Sequence, residues 1–214
     1  MLTPTFPATI HEDTMMRTAS LLALAALCAA AIVPTANAAE RVVKRGAATT
    51  ANGGVVAGKA VGYQGPNGAA GVRGHAMATD GNGNARTVSG AAGTTANGGR
   101  YGRTGTTDVG ANGAVSHRSG SAVQGPNGSA SSAGGFTRNP DGTYSGQRST
   151  HAQGASGGNY SGNTTYANGS GAHTTNATAK NGDTYSGQTD WTKGQGATHS
   201  GTCRDAAGNV IPCR

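Results

Sequence analysis

Few residues in this 214-residue chain have types and spacing that could do chemistry: two cysteines near the end, five histidines scattered beyond residue 38, one Asp-Gly-Asn-Gly-Asn stretch and three arginines at one repeat position. Cys203 and Cys213 enclose a loop centred on Gly208-Asn209, a pair suited to a tight turn. Such a turn would fold the two arms into a hairpin and bring the sulfurs together, and in an oxidising compartment a disulfide is the default outcome. A bridge over a loop of this size contributes on the order of 3 kcal/mol in the chain-entropy description. Metal binding or redox chemistry would need further ligands or a C-x-x-C spacing, and neither is present. His75, His117, His151, His173 and His199 each sit among Gly, Ser and Thr, with no carboxylate or cysteine at ligand spacing, so neither a metal centre nor a catalytic base is expected. Asp80, Asn82 and Asn84 occupy the first three ligand positions of a calcium loop, but Ala91 stands where the acidic twelfth residue belongs. The glycine-rich turns have no apolar strand before them and no helix after them, and fit no phosphate-binding fingerprint. No cofactor and no enzymatic activity are expected.

Arg73, Arg103 and Arg118 share one position in a repeat, so stacked units would align them into a basic stripe. The formal net charge is +7 for the whole chain, at only 12% charged residues. A basic surface attracts polyanions such as acidic glycans, lipopolysaccharide or anionic membrane. Spread-out charges also keep a repetitive β-chain soluble and guard sheet edges, and most of these basic residues are spread out. Nucleic acid is not the expected partner, because the basic residues do not cluster as an electrostatic footprint would.

These residues must be positioned by the repeat itself. Asn52-Gly53, Asn67-Gly68, Asn82-Gly83, Asn97-Gly98, Asn112-Gly113 and Asn127-Gly128 follow one another at a step of 15 residues, and Asp141-Gly142 comes one residue early. Asn and Gly tolerate positive φ and favour the type I′ hairpin turn, so the series is expected to be a ladder of chain reversals. A second small pair lies midway: Ser89-Gly90, Thr104-Gly105, Ser119-Gly120 and Gly134-Gly135. Each unit then holds either two short strands and two turns, or one strand of about eleven residues with a glycine at its centre. The expected fold is all-β: an array of β-turns and short strands, arranged as an antiparallel meander or a thin solenoid. Apolar residues recur at Val55, Ala70, Ala85, Val115 and Ala130, and more weakly at Val61, Ala76, Ala91 and Phe136; in stacked units these columns would line a thin interior.

Composition limits that interior. Beyond Leu27 there is no leucine, and Ile211 and Phe136 are the only isoleucine and phenylalanine after the first 38 residues. Such a chain buries too little apolar surface to offset its ordering entropy through a compact core, and the same composition admits substantial disorder. Backbone ladders, small-residue packing and turn chemistry must hold any fold it has.

Residues 1–14 carry no pattern and resemble an upstream extension. Residues 15–38 have a basic start, an apolar run over 21–33 and Ala36-Asn37-Ala38, the layout of a secretory signal peptide with a helical apolar part. The apolar run is short of the roughly 20 residues that span a bilayer, so no membrane anchor is expected after cleavage. Leu27 precedes Cys28 where a lipoprotein signal would carry a small residue. Removing Arg17, Glu12 and Asp13 with this segment leaves fifteen basic and seven acidic residues, a difference of +8.

Residues 39–51 read as a loosely ordered basic lead-in, 52–140 as the regular repeats, 141–200 as looser Tyr/Ser/Gly/Thr repeats and 201–214 as the disulfide-closed hairpin. Thr143-Tyr-Ser-Gly146 and Thr184-Tyr-Ser-Gly187 are the most strand-like segments, and their tyrosines suit cross-strand pairing or stacking on a sugar. Trp191 is expected to cap the stack beside Val210 and Ile211. The Gly-Pro-Asn-Gly turns at 65–68 and 125–128, the Thr-Tyr-Ser-Gly segments and the cysteine-closed tail together resemble a loose group of exported bacterial proteins rich in Gly, Asn, Ser and Thr. That resemblance implies no activity and assigns no functional residue. The sequence thus points to an exported structural or surface interaction protein with sheet edges open to self-association. A binding module for anionic glycans or other envelope polymers is the other reading.

Overall fold

The structure is a computed structural model that describes residues 40–213; the upstream extension, the signal peptide and Cys28 lie outside the described residues. The chain forms thirteen antiparallel strands in one open sheet, paired in sequence order from first to last. They are β1 (Glu40–Thr49), β2 (Val55–Gln64), β3 (Ala70–Thr79), β4 (Ala85–Thr94), β5 (Arg100–Val109), β6 (Val115–Gly125), β7 (Gly128–Arg138), β8 (Tyr144–Gly154), β9 (Asn159–Ala167), β10 (Ser170–Thr178), β11 (Thr184–Thr192), β12 (Gly196–Arg204) and β13 (Val210–Ile211). The meander is therefore the architecture, and each 15-residue unit is one long strand plus one turn. The mid-unit pairs such as Ser89-Gly90 and Ser119-Gly120 lie inside β4 and β6, where Gly90 faces Thr104 and Gly120 faces Ala133. The two-strand unit fails because a chain reversal there would abandon half of each ladder, and the ladder is what stabilises a chain with so little core. The basic lead-in is likewise a strand: β1 pairs with β2 from Glu40 opposite Gln64 to Thr49 opposite Val55.

The turns follow a different rule from the type I′ expectation. At Thr50–Gly54 the Thr50 amide donates to the Gly54 carbonyl and the Gly53 amide to the Thr50 carbonyl, and Gly53 takes φ +76° while Asn52 keeps a negative φ. This is a type I turn closed by a left-handed glycine, and it recurs at 95–99, 110–114 and 139–143. The last amide of each turn is left to a side chain. Thr50 Oγ1 accepts from Gly54 N, Asn112 Oδ1 from Ala114 N and Asp141 Oδ1 from Thr143 N. Asx and Thr are thus selected as local acceptors, and glycine alone supplies the positive φ. Asn168-Gly169, with φ +49° and +92° between the paired Ala167 and Ser170, has the positive φ of a type I′ turn at both positions, and so has Asn67-Gly68, with φ +63° and +78°.

Among the described residues the sheet has no second layer, and the apolar columns do not face one interior. The buried apolar side chains are Ala60, Val61, Ala76, Ala78 and Val88, all in β2–β4. The ladder and the turns carry the rest. One edge strand, β1, displays Arg41, Lys44 and Arg45, and the other, β13, is two residues long and tied to β12 by the Cys203–Cys213 disulfide, with Cα atoms 5.3 Å apart. Lysine and arginine at one edge and a very short strand at the other are standard ways of blunting edge-to-edge pairing. Trp191 does not join this cap. It pairs with Gly171 and Ala197, while Ile211 pairs with Cys203, six residues further along β12.

Candidate functional site

The face on which a side chain emerges is fixed by pairing arithmetic. Partners across β4 and β5 have residue numbers summing to 194, as Ala91 with Arg103, and across β5 and β6 to 224, as Arg103 with Ser121. Both sums are even. A residue and its equivalent 15 positions later sum to an odd number, so neighbouring strands present them on opposite faces; equivalents 30 apart recover both face and row. Arg73 and Arg103 therefore share a row, linked through Ala91, two strands or about 9.6 Å apart. Arg118 leaves the expected stripe, because it pairs with Thr106 and Gly135 on the other face. The apolar columns split for the same reason: Val61 and Ala91 share the row of Arg73, while Ala76 pairs with Val88 on the opposite face.

The same arithmetic sorts the whole sheet. Every aromatic ring of the described residues, Tyr63, Tyr101, Phe136, Tyr144, Tyr160, Tyr166, Tyr185 and Trp191, falls on the face of Arg73 and Arg103. So do Arg41, Arg45, Lys59, Arg138 and Arg148, and no acidic residue does. Asp108 and Asp190 lie on the reverse face, where Asp108 forms a 3.5 Å ion pair with Arg86. That reverse face is built of small residues: one row reads Ala60, Gly74, Gly90, Thr104, Gly120, Ala133. We call the two sides the aromatic face and the small-residue face.

Glycine gives the rings somewhere to lie. A Cβ on Gly171 would stand 2.2 Å from Trp191 Cζ2, and one on Gly146 would stand 2.5 Å from Tyr166 Cζ. Tyr63 and Tyr101 reach towards each other over Gly71 and Gly93 until their hydroxyls hydrogen-bond. That bond, aided by partial burial, raises the Tyr101 pKa above the ordinary phenol value. The pairing role expected for the tyrosines of the second half is met where the Tyr144 and Tyr166 rings, on neighbouring strands, lie 6.1 Å apart.

Between these rings runs a shallow groove of about 660 Å³. Its cations are Lys59, Arg73, Arg103 and Arg148, and small residues such as Ser89, Gly105, Ser119 and Ser121 form the floor. Arg148 is held in place by two hydroxyls: Nη1 donates to Ser132 Oγ at 2.9 Å and Nη2 to Ser119 Oγ at 2.8 Å. A guanidinium has five N–H donors, so further donors remain for a ligand. A second depression, with Arg41, Tyr63, Tyr101, Arg73 and Arg103, continues the same surface towards β1. The groove thus concentrates positive charge over a floor that offers hydroxyls and no carboxylate. A stretch of anionic polymer suits it better than a small enclosed ligand.

The histidines are less isolated than their sequence context implies. His117, His173 and His199 lie on the aromatic face, and each Nδ1 is hydrogen-bonded to a threonine hydroxyl directly across a neighbouring strand: Thr107 at 2.8 Å, Thr164 at 2.7 Å and Thr189 at 2.8 Å. His117 also stacks on Phe136, with centroids 5.5 Å apart. Among the described residues, no group of three or more His, Cys, Asp or Glu could hold a metal ion. The calcium-like stretch closes on itself: Asp80 Oδ1 accepts from the Asn82 and Asn84 amides and Oδ2 from Asn84 Nδ2. These bonds, the Asn84 side chain first, lower the Asp80 pKa.

Lys59, Arg138, Arg148 and the ring rows escape a search at the 15-residue step. They follow only from the pairing register, because partners across β6 and β7 sum to 253 and across β9 and β10 to 337, odd sums that break the 30-residue step. No helix among the described residues is long and apolar enough to cross a membrane. No protein-family model matches the chain, and neither a curated protein nor a solved structure is significantly similar to it.

Proposed function

We propose that this chain is an exported, non-catalytic interaction protein: a sheet one layer thick whose aromatic face binds an anionic polymer of the cell envelope. The observation that carries the reading is the sorting of charge. In the strands, seven cations and every Phe, Tyr and Trp ring share one face with no acidic residue, while Lys44, Arg86, Arg100, Arg118 and Arg204 lie behind with Glu40, Asp108 and Asp190. Scatter along the sequence, which favours a mere solubility role, becomes a field stronger on one side once the strands pair. Export is supported by the signal-like segment at 15–38 and by a disulfide of the kind that persists in oxidising compartments. Edge-to-edge association is discouraged at β1 by Arg41, Lys44 and Arg45, whereas β13 covers only Cys203 and Arg204 of β12 and leaves 196–202 open to a second copy.

The test is retention on dextran sulfate and on polygalacturonate, at about 0.01 M ionic strength, where charges act over about 30 Å, and at about 1 M, where they act over about 3 Å. Retention at low salt and release at high salt are expected. Arg73→Gln with Arg103→Gln weakens retention, and Arg118→Gln, on the far face, does not. No retention at low salt overturns the reading, and so does equal sensitivity to Arg118→Gln.

A further inference from the structure

One row of the aromatic face alternates ring and glycine: Phe136, Gly146, Tyr166, Gly171 and Trp191 are successive cross-strand partners from β7 to β11. Rings therefore recur every second strand, about 9.6 Å apart at a strand spacing of about 4.8 Å. Tyr166 leans over Gly146 and Trp191 over Gly171, both towards the lower-numbered strand, so the leaning preserves the spacing. The result is a line of half-exposed rings running across the strands, in the direction in which the sheet grows.

In a β-1,4-linked sugar chain with a twofold ribbon shape, alternate rings present the same face, and the repeat is one disaccharide. Two strand spacings approximate that repeat. A flat ring every disaccharide would meet equivalent, apolar sugar faces in register. An α-linked chain bends away from a straight line and meets the rings out of register. Charge is supplied at one end of the row, from the adjacent strands β7 and β8: Arg138 lies two residues from Phe136 on one side of the row, and Arg148 lies two residues from Gly146 on the other. Both point to the same face as the rings.

We propose that Phe136, Tyr166 and Trp191 form a stacking rail for one chain of a linear β-1,4-linked acidic polysaccharide, one ring per disaccharide, with Arg138 and Arg148 taking its carboxylates. This rests on the reading of the aromatic face as a polyanion surface and adds the linkage that the face selects. The rings distinguish geometry, and the arginines distinguish charge.

The experiment measures affinity of the intact, oxidised protein for two polyuronates of equal length and charge: a β-1,4-linked polyglucuronate made by oxidising cellulose, and α-1,4-linked polygalacturonate. Single-stranded poly(dT) is a third probe. The β-linked polymer is expected to bind more tightly. Tyr166→Ala and Trp191→Ala are each expected to weaken it at least about fivefold, the lower end of what a stacking ring contributes on alanine substitution. Trp191→Phe keeps a ring and is expected to retain most of the affinity, and far-UV circular dichroism verifies that each variant keeps the sheet. Polygalacturonate binding is expected to respond to Arg73→Gln and Arg103→Gln but not to loss of a ring. Equal, salt-sensitive binding of both polyuronates with no dependence on the rings overturns the rail and leaves the polyanion face standing. Failure of all three probes at low salt overturns both. Tighter, ring-dependent binding of poly(dT) makes the occupant a nucleic acid and overturns the saccharide assignment.

Discussion

Replacing Gly171 with alanine isolates the role of glycine beneath the rings. The new methyl would stand 2.2 Å from Trp191 Cζ2 and 2.5 Å from the Thr165 carbonyl oxygen, so the indole must lift off β10 or the strands must part. Forcing a methyl into an occupied site costs about 1–3 kcal/mol. At about 2–4 °C per kcal/mol for a chain of this size, Tm falls by about 2–12 °C. Gly102→Ala is the matched control: it lies in β5 on the small-residue face, at negative φ, with nothing within 4 Å of the added Cβ. There the smaller entropy of the unfolded chain raises stability by about 0.4–1 kcal/mol. Trp191 is the only tryptophan in the chain, so its fluorescence reports the site directly. Gly171→Ala is expected to shift the emission to longer wavelength and make it easier to quench, and Gly102→Ala to change neither. An unchanged emission maximum in Gly171→Ala, or an equal loss of Tm in both variants, would show that the rings do not depend on the glycines below them.

Reducing Cys203–Cys213 removes a constraint worth about 2.8 kcal/mol in the chain-entropy model, yet β13 is paired only at Cys203–Ile211 and Arg204–Val210. Amide exchange should therefore accelerate over 203–211 and stay unchanged across β2–β8, and a collapse of protection throughout the sheet would contradict this. On alkaline titration Tyr101 should ionise above the ordinary phenol range, because its hydrogen bond to Tyr63 holds it neutral. With its folded pKa raised, its contribution to stability is complete below the unfolded value and is lost as pH rises through the folded one; Tyr63→Phe should bring the titration down, read by absorbance of the phenolate. Asp80, Asp141 and Asp205 behave in the opposite sense, each lowered by side-chain and backbone hydrogen bonds within its own turn. Their contribution is present above the ordinary carboxylate pKa and is lost as pH falls through the folded value, so these turns should lose amide protection first in acid. A turn such as 95–99, capped by Thr95 Oγ1, should not respond.

Binding along a rail and resistance to edge growth place different demands on the same layer. A ligand running across the strands needs many strands in register, which widens the sheet and leaves an edge at each end. Charges guard the β1 edge, and the disulfide-closed hairpin covers the end of β12 but leaves 196–202 unpaired on its outer side. Four of the five buried apolar side chains, Ala60, Ala76, Ala78 and Val88, lie on the small-residue face in β2–β4.

Much of this arrangement is legible in the residues. The Asn-Gly step places most of the reversals, because only a residue free of a Cβ takes the left-handed position that closes each turn. The lack of leucine and isoleucine excludes a compact core, and the spacing of Cys203 and Cys213 about Gly208-Asn209 fixes the terminal hairpin. The repeat also yields the right stripe for Arg73 and Arg103. It misplaces Arg118 because position in a repeat is not position on a face: with an odd step, consecutive antiparallel strands turn equivalent residues to opposite sides. Trp191 is assigned to the wrong neighbours for a related reason, since nearness in sequence to Val210 and Ile211 does not survive the return of the strand. The sequence by itself determined where the Asn-Gly reversals fall and that the fold is all-β, while leaving open whether each unit holds one long strand or two short ones. Only the pairing register decided that cations and rings gather on one face with glycines beneath them. Side-chain direction alternates residue by residue, so the meeting of Trp191 with Gly171, twenty residues apart, depends on the one turn between them, 179–183, having its particular length.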